Sequence, residues 1–417
     1  MTTQFGRETQ SAIFRAGATG GRPLVPTSWE ALERTAKRAM SPAAWAYVAG
    51  SSGAEVTAAN NRRSFDAWSI VPRVLRDVAD RDLGVELLGR RHATPVLAAP
   101  VGVLDLAHRD ADLGIARAAA SLGITPVLSS QASVPMERVG AALGDAPRWF
   151  QLYWANDDDL VTSFMQRAEA AGAEAIVVTL DTHMLGWRPR DLDLAYLPFI
   201  RGRGIAQYTS DPVFARLVAE RVENPRPAGP RPRITPEAIR TLRAMRRSIT
   251  GLPPRVAVEV FLEVFSRPSL TWADLATLRE RTTLPILLKG VQHPDDASLA
   301  LEHGVDGIVV SNHAGRQVDG AIGSLDALVP VVERVGGHIP VLLDSGVRSG
   351  ADVLKALALG ADAVLVGRPW VYGLAIAGEP GAREALRNIV AEFDLVLGLS
   401  GHRSPAELSP DALVRTA

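Results

Sequence analysis

An apolar run, Gly307–Val310, stops at Ser311, and Asn312, His313, Arg316 and Gln317 follow within seven positions, with Gly315 among them. So many hydrogen-bonding side chains directly after a buried-looking segment mark either a very polar turn or a place where something small and charged sits. His313 could be a general base, a metal ligand or a hydrogen-bonded structural histidine. No second histidine has ligand spacing to it, so no metal is expected. Arg316 suits a bidentate grip on a carboxylate. Asp181, in "AIVVTLD", ends another apolar run and can reach His313, where it would raise the imidazole pKa and hold one tautomer. Lys289, in "PILLKG", could form a Schiff base, stabilise a developing anion, or pair with a carboxylate.

These residues share one setting. Eight short β-rich apolar runs end in polar residues: 95–100, 125–130, 148–153, 175–181, 285–290, 307–312, 340–346 and 363–368. Continuous apolar runs of this length fit parallel strands covered on both faces. Amphipathic stretches such as 110–123, 159–172 and 350–360 lie between them and end on glycine. The alternation predicts a (β/α)8 barrel; an open doubly wound sheet is the alternative, but its glycine fingerprint is missing after the first run. Residues 1–90 read as an N-terminal helical cap, with helices over 28–40 and 42–65, and residues 91–417 as the barrel. A long insertion after the fourth strand, about 183–268, carries the tract "NPRPAGPRPRITP" and should be partly helical or a mobile lid, with a helix over 235–248.

In such a barrel the chemistry gathers at the C-terminal strand ends. Strand by strand these carry Ser129 and Ser130, Gln151 and Tyr153, Thr179 and Asp181, Lys289, Ser311 with His313 and Arg316, Asp344 with Gly346 and Arg348, and Gly367 with Arg368. The last two turns form the usual phosphate corner of the fold. Gly346, Gly350 and Gly367 would let backbone N–H groups approach, a helix starting near Ser349 would add its dipole, and Arg348 and Arg368 charge. The inventory describes an acid–base or redox enzyme with a phosphate-bearing cofactor.

The formal net charge of -1 gives no electrostatic case for nucleic acid or a membrane surface. With no cysteine, disulfides, thiolate metal sites and a cysteine nucleophile are excluded. The polar N-terminus lacks the apolar core of a secretion signal, and no run reaches the ~18 apolar residues of a membrane span. A cytoplasmic protein is expected.

"SNHAGRQ" resembles the Ser-Asn-His-x-Gly-Arg-Gln signature of the FMN-dependent L-2-hydroxy acid oxidase and dehydrogenase family. The similarity runs from about Ser28 to the C-terminus outside the insertion, through "YVAGSSGAE", "APVGV", "FQLYW", "TLDTHMLGWRPRDL", "LLKGVQHPDDA" and "DSGVRSGADVLKALALGADAVLVGRP". "GWRPRDL", "LKGVQHPDDA" and "YVAGSSG" look most like the lactate 2-monooxygenase branch.

The resemblance implies FMN, a small 2-hydroxy acid oxidised to the 2-oxo acid or its decarboxylated product, oxygen or another acceptor, and a homo-oligomer. It implies that Tyr47 and Arg316 bind the substrate carboxylate and that Arg188 assists Asp181 or the substrate. Tyr153 would lie near the substrate hydroxyl, His313 would take a substrate proton, and Asp181 would stabilise it. Lys289 would sit by flavin N1 and O2. Val101, Gly102, Ser129, Gln151, Thr179 and Ser311 would contact the flavin, Asp344 the ribityl chain, and Gly346, Arg348, Gly367 and Arg368 the phosphate. Trp154 and Trp187 would border the pocket. The chain departs from the pattern at Ala314, where monooxygenase relatives have glycine, at His183 and Met184, and at Gly102, an alanine in many oxidases. A dehydrogenase with another acceptor, a Schiff-base aldolase, an FMN barrel isomerase and a non-catalytic flavin protein are the competing readings.

Overall fold

The computed structural model describes residues 4–226 and 235–416. The centre of the proline- and arginine-rich tract lies outside the described residues. All eight expected runs become parallel strands: β1 (Val96–Ala98), β2 (Val127–Ser129), β3 (Trp149–Leu152), β4 (Ile176–Thr179), β5 (Ile286–Val291), β6 (Gly307–Val310), β7 (Val341–Asp344) and β8 (Ala363–Val366). Each pairs with its sequence neighbour, and β8 pairs with β1. The ring closes between β1 and β2 through a parallel bridge, Ala98 to Pro126, in which Ala98 N–H donates to Thr125 O at 3.0 Å. This is the (β/α)8 barrel expected from the alternation.

Alternate strand residues point inward, as the period of two requires. Leu97, Val127, Trp149, Val177, Leu287, Val309, Leu342 and Leu365 fill the interior, and Leu87 joins them from a hairpin of Val85–Leu87 with Arg90–His92. Outward-facing partners such as Val96, Leu128 and Ile176 pack under the helices.

The N-terminal region folds as α1 (Phe5–Ala18), α2 (Trp29–Ala39), α3 (Pro42–Ala49) and α4 (Val56–Asp66). The single helix expected over 42–65 is therefore two. The chain breaks at Gly50–Glu55, where Gly53 (φ 54) and Glu55 (φ 63) are left-handed. A Cβ at Gly53 would meet Asp319 Oδ2 at 2.4 Å, so glycine is required there. The break has a use: Ser52 N–H donates to Gly315 O at 2.8 Å, and Gly53 N–H to Trp187 O at 2.8 Å. It ties the loops after β6 and β4 to the N-terminal helices.

The described part of the insertion is packed around its own aromatic core. Phe199 lies against Phe261 with ring centroids 5.2 Å apart, and Tyr208 meets Phe261 edge-on at 4.8 Å. Tyr208 also meets Phe164 of the barrel helix Asp158–Ala170 at 4.9 Å, which moors the insertion. Such pairs contribute about 0.5–1.5 kcal/mol each beyond area burial. The helix expected over 235–248 forms as Pro236–Ser248, with Thr235 capping it by accepting from Ala238 N–H. Among the described residues no helix is long and apolar enough to cross a membrane.

Candidate active site

β6 ends because the next residues turn left-handed: His313 (φ 55), Ala314 (φ 56) and Gly315 (φ 76). Two of them carry a Cβ, a conformation costing roughly 1–2 kcal/mol per residue. Side-chain acceptors hold the turn. Ser311 Oγ accepts from His313 N–H at 3.0 Å, Ser345 Oγ from Ala314 N–H at 2.8 Å, and Asn312 Oδ1 from Gly315 N–H at 3.2 Å.

The turn aims His313 into the barrel mouth. Its Nδ1 lies 2.9 Å from Asp181 Oδ1 and 3.2 Å from Thr182 Oγ1, and its Nε2 lies 3.4 Å from the Tyr153 hydroxyl. Burial works against the Asp181 carboxylate, but His313, Lys289 and Thr182 outweigh it and hold its pKa below the ordinary value. Asp181 pulls the His313 pKa upward, as expected, but the net shift is downward. Burial is the largest influence and pushes it down; Asp181 pulls upward without overcoming it, while Lys289 and Arg188 add to the fall. At neutral pH the pair is an ionised Asp181 accepting from Nδ1–H of a neutral imidazole. That tautomer, assigned from the hydrogen bond, leaves Nε2 free to take a proton.

Lys289 ends the barrel-facing part of β5 at 3 % exposure. Its Nζ lies 2.8 Å from Asp344 Oδ2, and both meet Ser311 Oγ, at 2.9 and 2.7 Å. Burial pushes the Lys289 pKa down, but Asp344 and Asp181 outweigh it and leave it above the ordinary value. A lysine held charged in this way is a fixed cation and a poor Schiff-base nucleophile.

Arg188 is only 8 % exposed, and among the described residues it has no ion-pair partner. It donates from Nε to Arg316 O at 3.1 Å and from Nη2 to Gln317 Oε1 at 2.8 Å. Burial and the neighbouring Arg316 charge push its pKa down to about 10. Arg316 anchors Nη1 on the carbonyls of Tyr47 and Gly50 and lies over the Tyr47 ring at 5.0 Å. Gln317 fixes the facing loop by donating to Asp181 O and Met184 O, each at 2.7 Å.

These groups line one cavity. Tyr47, Val101, Gly102, Ser129, Tyr153, Arg188, Lys289, His313, Arg316, Asp344, Gly367 and Arg368 all border it. An adjoining chamber shares Ala314, Asp344, Gly367 and Arg368 and adds Gly346 and Arg348. Gln151, Thr179, Asp181 and Ser311 stand behind this surface rather than on it. Trp154 is buried, as a packing residue is, and Trp187 is 73 % exposed; neither lines the cavity that both were expected to border. Thr182, Gln131, Leu185 and Phe199 line it and were not singled out from the sequence. The first two lie within three residues of a strand end, a signal that could have found them; Phe199 comes from the insertion, which offered none.

The phosphate corner also differs in part from expectation. Gly350 N–H donates to Glu392 Oε2 at 2.9 Å, and Ser349 Oγ and Asp352 Oδ2 take the N–H groups of Asp352 and Arg348. The N–H groups of Gly350 and Asp352 at the start of helix Gly350–Ala358 are thus already paired within the protein. Gly350 serves packing: a Cβ there would meet Phe393 N at 2.1 Å on the long helix Arg368–Leu399. The second chamber keeps Gly346, Gly367, Arg368 and Arg348, whose guanidinium lies over Trp29 at 4.4 Å. Arg62 also lines it, paired with Asp352 at 2.8 Å, and was not foreseen.

The donor set fits FMN. Gln151 Nε2 and Thr179 Oγ1, at adjacent strand ends, are buried without a hydrogen-bond partner, and buried polar groups of this kind call for one. They sit beside Ser129 and the Lys289 cation, and the second chamber supplies glycines and guanidinium for a single phosphate.

Comparison with known proteins agrees. An FMN-dependent alpha-hydroxy acid dehydrogenase, qulF, of Penicillium citrinum is 42% identical over 407 residues, 97% of this chain and 95% of that protein. An L-lactate oxidase of Lysinibacillus sphaericus is 40% identical over 98% of this chain and 97% of its own length. A solved structure of a mandelate oxidase variant with (S)-mandelic acid superposes with a TM-score of 0.75 at 33% identity, covering 94% of this chain and 100% of that one. Residues 36–415 match the family described as FMN-dependent dehydrogenase, and the chain belongs to that family.

Proposed function

We propose that the protein oxidises a small L-2-hydroxy acid to the 2-oxo acid, or to its decarboxylated product, with oxygen as the electron acceptor. The observation that carries this reading is the meeting, in one cavity, of a carboxylate-supported neutral imidazole and a buried guanidinium without a carboxylate partner. FMN, when bound, supplies the two-electron acceptor. Arg188, Arg316 and Tyr47 bind the substrate carboxylate; an anion between the two guanidiniums relieves their repulsion. That contact fixes the hydroxyl-bearing carbon toward His313. Nε2 of His313 takes a substrate proton, and Asp181 stabilises the imidazolium that forms. The Tyr153 hydroxyl, beside Nε2, hydrogen-bonds the substrate oxygen.

On the cofactor side, Lys289 would supply a fixed positive charge to the bound ring. Ser129, Gln151, Thr179 and Ser311 serve the ring through hydrogen bonds, and Val101 and Gly102 through packing. Asp344 would hold the ribityl chain, while Gly346, Arg348, Gly367 and Arg368 would hold the phosphate. Residues 1–90 act as a cap, the insertion as a lid, and the working protein is a cytoplasmic homo-oligomer. Anaerobic mixing of the purified yellow protein with a panel of L-2-hydroxy acids should bleach the flavin, and oxygen should restore it. A panel that leaves the colour untouched contradicts the activity; recovery only with an artificial acceptor contradicts oxygen as the acceptor.

A further inference from the structure

Gln131 is a polar side chain of the cavity for which the proposed reaction has no use. Gln131, two residues beyond β2, lines the cavity and is 7 % exposed, yet its side-chain amide has no hydrogen-bond partner among the described residues. Its backbone is pinned. Gln131 N–H donates to Ser129 Oγ at 3.1 Å, and Gln131 O accepts from Val103 N–H at 2.9 Å. Two glycines make room around it. A Cβ at Gly102 would meet Gln131 Cβ at 3.0 Å, and one at Gly204 would meet Gln131 O and Phe199 Cε1, both at 3.2 Å.

Those contacts place Gln131 on the same wall as the anion-binding residues. Arg316 lies over Tyr47, the Tyr47 ring meets Phe199 edge-on at 6.4 Å, and Phe199 and Gln131 flank Gly204. A 2-hydroxy acid held by its carboxylate at Arg316 and Tyr47 extends its side chain along this wall. An amide lining the cavity with no protein partner among the described residues disfavours an alkyl side chain, which covers it without pairing with it, and favours a group that can pair with it. Phe199 and Leu185 supply an apolar part of the lining, and the neutral amide offers no charge to pair with a second carboxylate once the guanidiniums hold the first.

We infer that Gln131 sets specificity, and that the substrate is a 2-hydroxy acid carrying a neutral hydrogen-bonding group, such as a hydroxyl, on carbon 3. This rests on the activity proposed above. The test is kcat/KM for anaerobic flavin reduction of the holoenzyme with L-glycerate, its alkyl isostere L-2-hydroxybutyrate, and L-malate. The parent should favour L-glycerate over both by about tenfold or more. Gln131→Leu should lose that preference through a fall with L-glycerate, keep its rate with L-2-hydroxybutyrate, and retain FMN. A parent that prefers the alkyl or dicarboxylic acid overturns the inference, and needs no variant to do so. So does a Gln131→Leu enzyme slowed equally on all three acids, or one that loses FMN, since the amide then serves the fold or the cofactor. If acids bleach the flavin with no polar preference, only the role of Gln131 falls; if none bleaches it, the proposed activity falls first.

Discussion

The cavity has two halves built by different means. One half, proposed to face the cofactor, is made of strand ends: Ser129, Lys289 and Asp344 on the surface, with Gln151 and Thr179 behind it, on β2 to β5 and β7, locked in register by the barrel ladder, as in Ser129 opposite Gln151 and Thr179 opposite Lys289. The other half, proposed to face the substrate, is made of loops and the N-terminal helices: Tyr47 from α3, Arg188 and Phe199 from the insertion, and Arg316 from the left-handed turn after β6. The first half is rigid because its backbone groups are paired within the sheet. The second is held by side chains bonding to loop carbonyls, with Gln317, Ser52 and Arg316 spanning three separate segments. Strand ends can keep one cofactor in place while loop positions change what is oxidised.

The largest effect on this division should come from Lys289→Met, which leaves the buried Asp344 carboxylate without its cation. Removing one partner of a buried pair costs about 3–5 kcal/mol, so thermal or urea unfolding should show a loss of that order. Flavin reduction should slow while substrate still binds; a borohydride-trapped substrate adduct on the parent's Lys289 would instead make it a Schiff-base residue. Arg188→Met, on the loop half, should weaken kcat/KM by roughly 10–100-fold, from the loss of charge-assisted hydrogen bonds. FMN content should not change, and equilibrium dialysis of the cofactor would expose an error here.

Asp181→Asn sharpens the boundary between the halves and has the smallest expected effect, about tenfold on the limiting reduction rate. Its pH profile is the more telling readout. Reduction needs neutral His313, so the rate should rise with pH through a pKa below the ordinary histidine value and be level by neutrality. Asp181 pulls that pKa upward, so its removal should move the rise to lower pH and lower the plateau. A rise that moves to higher pH would mean the carboxylate is not ionised beside the imidazole.

How far the sequence could be read follows the same division. Parallel strands sealed on both faces must be continuously apolar, so all eight were visible, and polar residues at their ends marked the cofactor half. The loop half was visible only where a motif carried it, as for Arg316 and His313. Phe199 and Gln131 face the cavity because of packing between distant segments, which no local pattern encodes. The interruption at Gly50–Glu55 sat inside a helical pattern, and only the loops it contacts explain it. The occupied start of helix Gly350–Ala358 depends on Glu392, on another element. The direction of the His313 shift depends on burial, which a list of neighbouring charges omits.

The central claim is that His313 performs the proton transfer while other residues hold the cofactor. Its most direct test is anaerobic stopped-flow reduction of His313→Gln with the best substrate, read beside FMN content. A positioned base contributes typically ~10²–10⁴ in rate, so reduction should slow by at least about a hundredfold in a variant that retains its FMN. Reduction at the parent rate would contradict the account and make His313 a structural residue of the turn after β6.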